Sequence, residues 1–371
     1  MKIGFDAKRA FFNNRGLGNY SRDTIRILTT KASQNEYFLF TPKTKGGRSF
    51  QHGKASIVAP SSFFSKALPS LWRTSGCSKD AEKLGLDIYH GLSNELPYGL
   101  PKSVATVVTI HDLIFLKNPE LYPFFDRYTF RKKYVRSCQV ADRIVAISEE
   151  TKKDLLELVG VDEQKVSVVY QGCNPLFSNE VDEATLETVR KRYALPSAFL
   201  LIVCAIEKRK NHELILEAMH IGHFDIPLVI VGRPSAYKDE LMQLIHKYKL
   251  ENRVIFLHQV PMEDLPVLYQ LATLFVYPSH FEGFGIPILE AMTSHTPVIT
   301  SIGSCFKETG GEAARYVDSH KADELSNAIE EILTDRELAQ KMVKEGDLQA
   351  MKFSDESIAT AMTAVYNSLA R

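Results

Sequence analysis

Two successive series of short, β-rich apolar runs, each alternating with helical stretches, constrain this chain more than any single motif. The first series holds KIGFD (2–6), EYFLF (36–40), ASIV (55–58), DIYH (87–90), VATVVTI (104–110), DRIVAI (142–147) and KVSVVY (165–170). The second holds FLLIVCA (199–205), PLVIVG (227–232), RVIFL (253–257), TLFVYP (273–278), PVITS (297–301) and ARYVD (314–318). Apolar strands of this length separated by helices build parallel sheets whose faces the helices cover. Helices of the first series are expected near Leu17, Ser78, Pro123 and Ser148; the last has a serine cap followed by Glu149 and Glu150 in its first turn. Between the two series, QGCNPLFSNEVDEA (171–184) breaks the pattern with Gly172, Pro175 and a polar cluster, and reads as a linker. From Ala322 onward the chain is helical and charged, with no strand expected. The expected fold class is therefore α/β, with two Rossmann-like domains facing across a cleft. Residues 1–175 form the first, 176–352 the second, and a C-terminal helix over 353–371 packs back toward the first. A length of 371 residues and 44% hydrophobic content suffice for two cores.

Charge and cysteine content narrow the function. Formal net charge is zero, which excludes nucleic-acid binding driven by bulk positive charge. Residues 1–183 nonetheless carry a net +6 and the remainder a net −6. The five cysteines form no CxxC pair and show no zinc-site spacing, as suits a reducing cytosol. MKIGFDAKR has no signal-peptide run, and the longest stretch without polar residues, FLLIVCAI (199–206), is too short to span a bilayer. The expectation is a cytoplasmic protein, with peripheral contact at the inner face of a membrane left open.

In parallel sheets ligands sit beyond the carboxyl ends of the strands, so motifs placed there carry most weight. After the first strand, Gly16 and Gly18 in RGLGNYSRD open a helix; the turn either binds an anion or merely starts the helix. A dinucleotide fingerprint is disfavoured, since Ser21 stands at its third glycine position and the glycines lie far from the strand. His111, in TVVTIHDL, ends the fifth strand where a cleft would open. The segment YPFFDRYTFRKKYVR interleaves Phe125, Tyr128 and Tyr134 with Arg127, Arg131, Lys132, Lys133 and Arg136. It either lies on anionic lipid or packs with a solvated basic face, and the second is the favoured expectation. In the second half, Lys208, Arg209 and Lys210 crowd the start of a helix, where the dipole prefers negative charge; a phosphate would relieve the conflict. Finally, FEGFGIPILEAM (281–292) places Glu282 in a glycine turn and Glu290 about one turn into the following helix, with Phe284 and Gly285 amides between them.

Glu282 and Glu290 match the E-x(7)-E motif of retaining glycosyltransferases. With RGLGNYSRD, HDL, DRIVAISEETKKDL, YQGCNPLF, IEKRKN and YPSHFEGFGIPILEAM in this order, nearly the whole chain resembles glycosyltransferase family 4, a GT-B fold. The resemblance implies that Glu290 binds the nucleotide ribose and that Arg209 and Lys210 neutralise the donor diphosphate. It implies that Gly16 and Gly18 amides approach that diphosphate, and that Glu282 with the Phe284 and Gly285 amides holds the donor sugar. His111 would line the reaction centre, and backbone near Gln259 and Val260 would meet the base. The implied catalytic set is His111, Glu282, Arg209 and Lys210, acting with retention and with no metal or other cofactor. IHDLIFLKNPELYP most resembles mannosyltransferases of surface polysaccharide assembly, which favours GDP-mannose, with UDP-hexoses open and a glycan or lipid-linked acceptor. One departure is Cys204-Ala205, where relatives often have glycine then Arg, Thr or Asn, so Arg209 and Lys210 would carry more of the donor contact. The competing readings are a sugar-nucleotide epimerase or hydrolase, a non-catalytic sugar-nucleotide-binding subunit and, least favoured, a NAD-dependent oxidoreductase.

Overall fold

Each apolar run becomes a strand in a computed structural model that describes residues 1–370. Strands β1 Lys2–Asp6, β2 Glu36–Phe40, β3 Ser56–Val58, β4 Ile88–Gly91, β5 Ala105–Ile110, β6 Arg143–Ala146 and β7 Val166–Val168 form one sheet, in the order β3-β2-β1-β4-β5-β6-β7. Strands β8 Leu200–Val203, β9 Leu228–Val231, β10 Val254–Leu257, β11 Leu274–Tyr277, β12 Val298–Ser301 and β13 Ala314–Val317 form the other, in the order β10-β9-β8-β11-β12-β13. All pairings are parallel. In each sheet the strand order reverses once, between β1 and β4 and between β8 and β11. Such switch points open a crevice at the carboxyl ends of the strands.

The chain divides into two units, Met1–Gly172 with the residues from Phe353 onward, and Cys173–Lys352. In the first unit, the helices Gly16–Lys31 and Asp355–Asn367 lie together on one face of the sheet. Arg26 grips the Asp355 carboxylate through both terminal nitrogens, and Tyr170 meets Phe353 edge-on at 5.3 Å. The other face is closed by a cluster in which Trp72, Cys77, Ala81, Phe115 and Cys138 meet Tyr89, Val108 and Ile144. Cys77 and Ala81 come from the helix Cys77–Leu84, and Cys138 from the helix Phe124–Val140. The serine cap is in place: Ser148 Oγ accepts from Thr151 N at 3.0 Å, starting the helix Glu149–Asp154.

In the second unit a separate core gathers Phe199 to Ile202, Leu228 to Ile230 and Leu274 to Tyr277 under helices that include His212–Ile221 and Ala322–Thr334. The stretch 171–184 is not an open linker throughout. Phe177 is its one aromatic, and it buries against Tyr269, with ring centroids 5.6 Å apart. Asp182 already caps the helix Glu183–Arg192, accepting from Thr185 N at 2.8 Å. The chain ends in three helices, Ala322–Thr334, Arg336–Met351 and Asp355–Asn367, with no strand after β13 among the described residues. The helix Phe124–Val140 packs inward through Phe130 and Tyr134 and leaves Arg131, Lys132 and Lys133 exposed, together with the aromatics Phe124, Phe125 and Tyr128.

Candidate active site

The cation cluster and the glutamate loop meet at the β8/β11 switch point. These strands pair directly, Leu200 with Leu274 and Leu201 with Phe275, so the residues that follow them emerge side by side. After β8 the chain makes a tight turn over Lys208–Lys210 and enters the helix His212–Ile221 through Asn211, at φ +59°. Asparagine tolerates that left-handed backbone better than most residues. Its side-chain amide also donates to the carbonyls of Pro278 (3.1 Å) and Ser319 (2.8 Å). From the other side, His280 N and Ser279 Oγ donate to the Arg209 carbonyl at 3.0 and 3.1 Å. The two loops are thus stitched together before any charged side chain is considered.

Glu282 then gathers the charges. Its Oε1 accepts from Lys210 Nζ, Ser279 Oγ (2.7 Å) and Tyr277 OH (3.0 Å), and forms an ion pair with Arg209 Nη1 at 2.8 Å. Lys210 Nζ also donates to Tyr277 OH at 2.8 Å, and Arg209 Nη1 donates to the Phe281 carbonyl. Burial pulls the Glu282 pKa up, but the Arg209 and Lys210 cations outweigh it and hold the carboxyl at about 2. A lysine as buried as Lys210, 7% exposed, would be costly without such a partner. A second carboxylate also faces the pair, with Glu207 Oε2 at 3.9 Å from Arg209 Nη2. Lys208 turns the other way, to Glu240 at 3.3 Å near the surface. The hydrogen bonds to the Glu282 carboxylate from Lys210, Tyr277 and Ser279 all fall on Oε1, while Ser304 Oγ and Cys305 Sγ donate to its backbone carbonyl.

Beyond Glu282 the backbone turns sharply at Gly285, whose φ of +85° favours glycine, and enters the helix Ile286–Thr293 with Pro287 in its first turn. Glu290 is buried one turn further on, and Tyr269 OH donates to its Oε2 at 3.0 Å. Phe284 is buried, with its carbonyl accepting from Thr309 Oγ1. Val260 follows β10 and packs half-buried against the core, next to Gln259 at φ +58°.

The remaining expected residues belong to the first unit. Gly16 opens the helix Gly16–Lys31, and nothing lies within 4 Å of where its Cβ would stand. At Gly18 a Cβ would lie 1.8 Å from the Asn13 carbonyl oxygen, so close backbone packing requires glycine there. Its N–H donates to the Arg15 carbonyl at 2.8 Å, which corrects the expectation that this amide faces a diphosphate. His111 is buried, its backbone N–H held by Asn94 Oδ1 at 2.8 Å and its Nε2 lying 2.9 Å from the Leu92 carbonyl. A carbonyl only accepts, so Nε2 carries the hydrogen and Nδ1 the lone pair. Burial lowers the His111 pKa to about 4, against the pull of the Leu92 bond, and the ring is neutral near pH 7.

Sequence reasoning missed what holds these groups. Tyr277 and Ser279 read only as the end of an apolar strand, yet both bond to Glu282. Tyr20 sets its ring edge-on to His111, with centroids 4.5 Å apart, and its OH lies 3.1 Å from Thr109 Oγ1. Thr109 Oγ1 lies 2.8 Å from His90 Nε2, and His90 Nδ1 lies 2.7 Å from Tyr366 OH. At the β1/β4 switch point Asp6 accepts from Arg73 Nε at 3.0 Å, and Arg73 pairs with Glu95 at 3.1 Å. Polar residues ending buried strands, Asp6, His90 and Thr109, were the available signal.

Comparison with known proteins follows the same division. Residues 15–175 match the family described as Glycosyltransferase Family 4, and residues 187–349 match Glycosyl transferases group 1. The O-antigen chain mannosyltransferase B of Escherichia coli is 30% identical, over 76% of this chain and 74% of its own. Among solved structures, the sucrose-phosphate synthase of Thermosynechococcus elongatus aligns with 100% of this chain and 99% of its own, at a TM-score of 0.77 and 22% identity. Anabaena HepE, solved in complex with UDP-glucose, aligns with 99% of this chain and 100% of its own, at 0.74 and 17%. These structural likenesses show the GT-B fold.

Proposed function

The chain belongs to the group 1 and family 4 glycosyltransferases, and from that premise we propose that it moves a hexose from a nucleotide sugar to a glycan or glycolipid acceptor in surface polysaccharide synthesis. Mannose from GDP-mannose is the preferred donor, supported by likeness to an O-antigen chain mannosyltransferase; a UDP-hexose is the alternative, supported by the UDP-glucose complex of HepE. One observation carries the reading: Arg209 and Lys210 converge on a single carboxylate oxygen at the switch point, concentrating two positive charges there. A diphosphate matches that charge, and developing negative charge on the leaving phosphate strengthens the attraction in the transition state.

The other residues take complementary roles. Glu282 holds both cations in place through Oε1 and offers Oε2 to a hydroxyl of the donor sugar. Glu290, already oriented by Tyr269, accepts from the ribose, while the Phe284 and Gly285 amides and the backbone at Val260 contribute further donor contacts. Gly16 adds a helix-start amide, and neutral His111 accepts a substrate hydroxyl at Nδ1. Its pKa of about 4 makes it a poor general base, so the leaving phosphate assists deprotonation of the acceptor, on the same face and with retention. The two cations do the work of a divalent ion, and activity persists in chelator.

The test is incubation of the protein with radiolabelled GDP-mannose, with and without a glycolipid extract of bacterial envelope. Label entering the lipid fraction, with GDP released only when extract is present, supports transfer. GDP released from donor alone indicates a hydrolase. Donor binding without turnover on any extract indicates a non-catalytic subunit.

A further inference from the structure

The second unit fixes a further pair of polar side chains at the ends of β9 and β10. His258 directly follows β10, and its Nδ1 lies 2.8 Å from the carbonyl of Gly232, just past β9. A carbonyl only accepts, so Nδ1 carries the hydrogen and Nε2 the lone pair. That lone pair accepts from Lys238 Nζ at 3.2 Å, and the same ammonium lies 4.7 Å from the centre of the Phe256 ring. Lys238 is the second residue of the helix Tyr237–Lys247, where the dipole disfavours a cation. Its side chain reaches away from that helix and is held at β10 by His258 and Phe256. The His258 ring, fixed through both nitrogens, stays exposed.

The topology puts this pair where the far end of a nucleotide would lie. From β8 and β11 a ligand can extend toward β12 and β13 or toward β9 and β10. The first direction is tied off. Ser304 Oγ and Cys305 Sγ, after β12, donate to the Glu282 carbonyl, and the Ser319 carbonyl, after β13, accepts from Asn211. In the second direction His258 and Gln259 are exposed. Glu290 is held from that side, by Tyr269 on the helix Leu265–Leu271 that follows β10. β10 stands two strand spacings, roughly 10 Å, from β8, a span that ribose and base bridge outward from a diphosphate.

We propose that Lys238 and His258 read the base of the donor and select guanine. The assignment presupposes the nucleotide-sugar site proposed above and adds the identity of the base. With one hydrogen given to His258, the Lys238 ammonium keeps two for a ligand. Guanine presents O6 and N7 to them as adjacent acceptors. Adenine puts an amino donor in the place of O6, and uracil offers the single carbonyl O4 on the corresponding edge. The exposed His258 ring supplies a flat face for stacking, which a purine covers more fully than a pyrimidine.

Isothermal titration of the full chain with GDP, UDP and ADP tests it. The parent is expected to bind GDP about tenfold or more tightly than UDP, and ADP no better than UDP. Lys238→Met keeps an apolar stem on Phe256 without the ammonium. It should weaken GDP about tenfold and UDP far less, so that the preference collapses. Lys238→Arg, which can still donate to both guanine acceptors, should retain the preference. His258→Phe keeps a ring but releases Lys238, and should shrink the ratio of GDP to UDP affinity. Both side chains reach solvent, so each variant should keep the melting curve of the parent, which is checked alongside. A parent that binds UDP or ADP as tightly as GDP overturns the assignment and leaves the transferase reading standing. So does an equal loss of GDP and UDP affinity in Lys238→Met, which would give that ammonium to the phosphates, or an unchanged ratio in His258→Phe. A parent that binds none of the three nucleotides overturns the transferase reading as well.

Discussion

Glu282 is one carboxylate answering for two cations, and its acid response follows from that. Its folded-state pKa of about 2 lies below the unfolded value, so the stabilisation is present above the usual glutamate range and is lost as pH falls toward 2. At 1.36 kcal/mol per unit of pKa, the contribution amounts to ~3 kcal/mol. Between pH of about 5 and about 2, the unfolding free energy of the parent should therefore fall by ~3 kcal/mol more than that of Glu282→Gln. Denaturant titrations at several pH values measure this, and parallel curves would contradict it. The charged members of the cluster were legible in the sequence because Arg209, Lys210, Glu282 and Glu290 are polar residues placed just after strands. Their pairing was not. Lys210 and Glu282 stand 72 residues apart, and only the register of β8 against β11 brings them to one oxygen.

Among the elements, the terminal helix Asp355–Asn367 depends on a polar contact as well as packing. Tyr366 is fully buried, with its OH on His90 Nδ1. Tyr366→Phe leaves that buried nitrogen without its partner and should cost ~1–3 kcal/mol of unfolding free energy, read by urea titration. A change within a few tenths of a kcal/mol would show that the bond contributes nothing. Strands were easy to place because buried parallel strands are apolar throughout, and all thirteen runs were found. Helix environments were harder. FFDRYTFRKKYV has aromatics around its whole circumference, so periodicity alone did not tell which rings pack. His90 looked like an ordinary strand residue because its partner lies 276 positions away.

Across the whole molecule, the two units have separate cores, and chain continuity differs between them. Residues 173–352 are contiguous and should fold alone with a cooperative melt. Residues 1–172 without the tail lose Phe353, Ile358, Met362 and Tyr366 from their buried surface and should give no cooperative transition; calorimetry of both fragments tests this. The two-sheet plan was readable from the count and spacing of the apolar runs. Strand order, and with it the position of each switch point, was not, because pairing between distant strands leaves no local mark. The central claim is that one sugar nucleotide is held in the second unit by Arg209, Lys210 and Glu290. Isothermal titration with GDP-mannose and UDP-glucose tests it most directly. The account predicts that at least one donor binds the parent, and that Lys210→Ala and Glu290→Ala each weaken that binding by ~1–3 kcal/mol. Equal affinity in parent and both variants, or no binding of either donor, would contradict it.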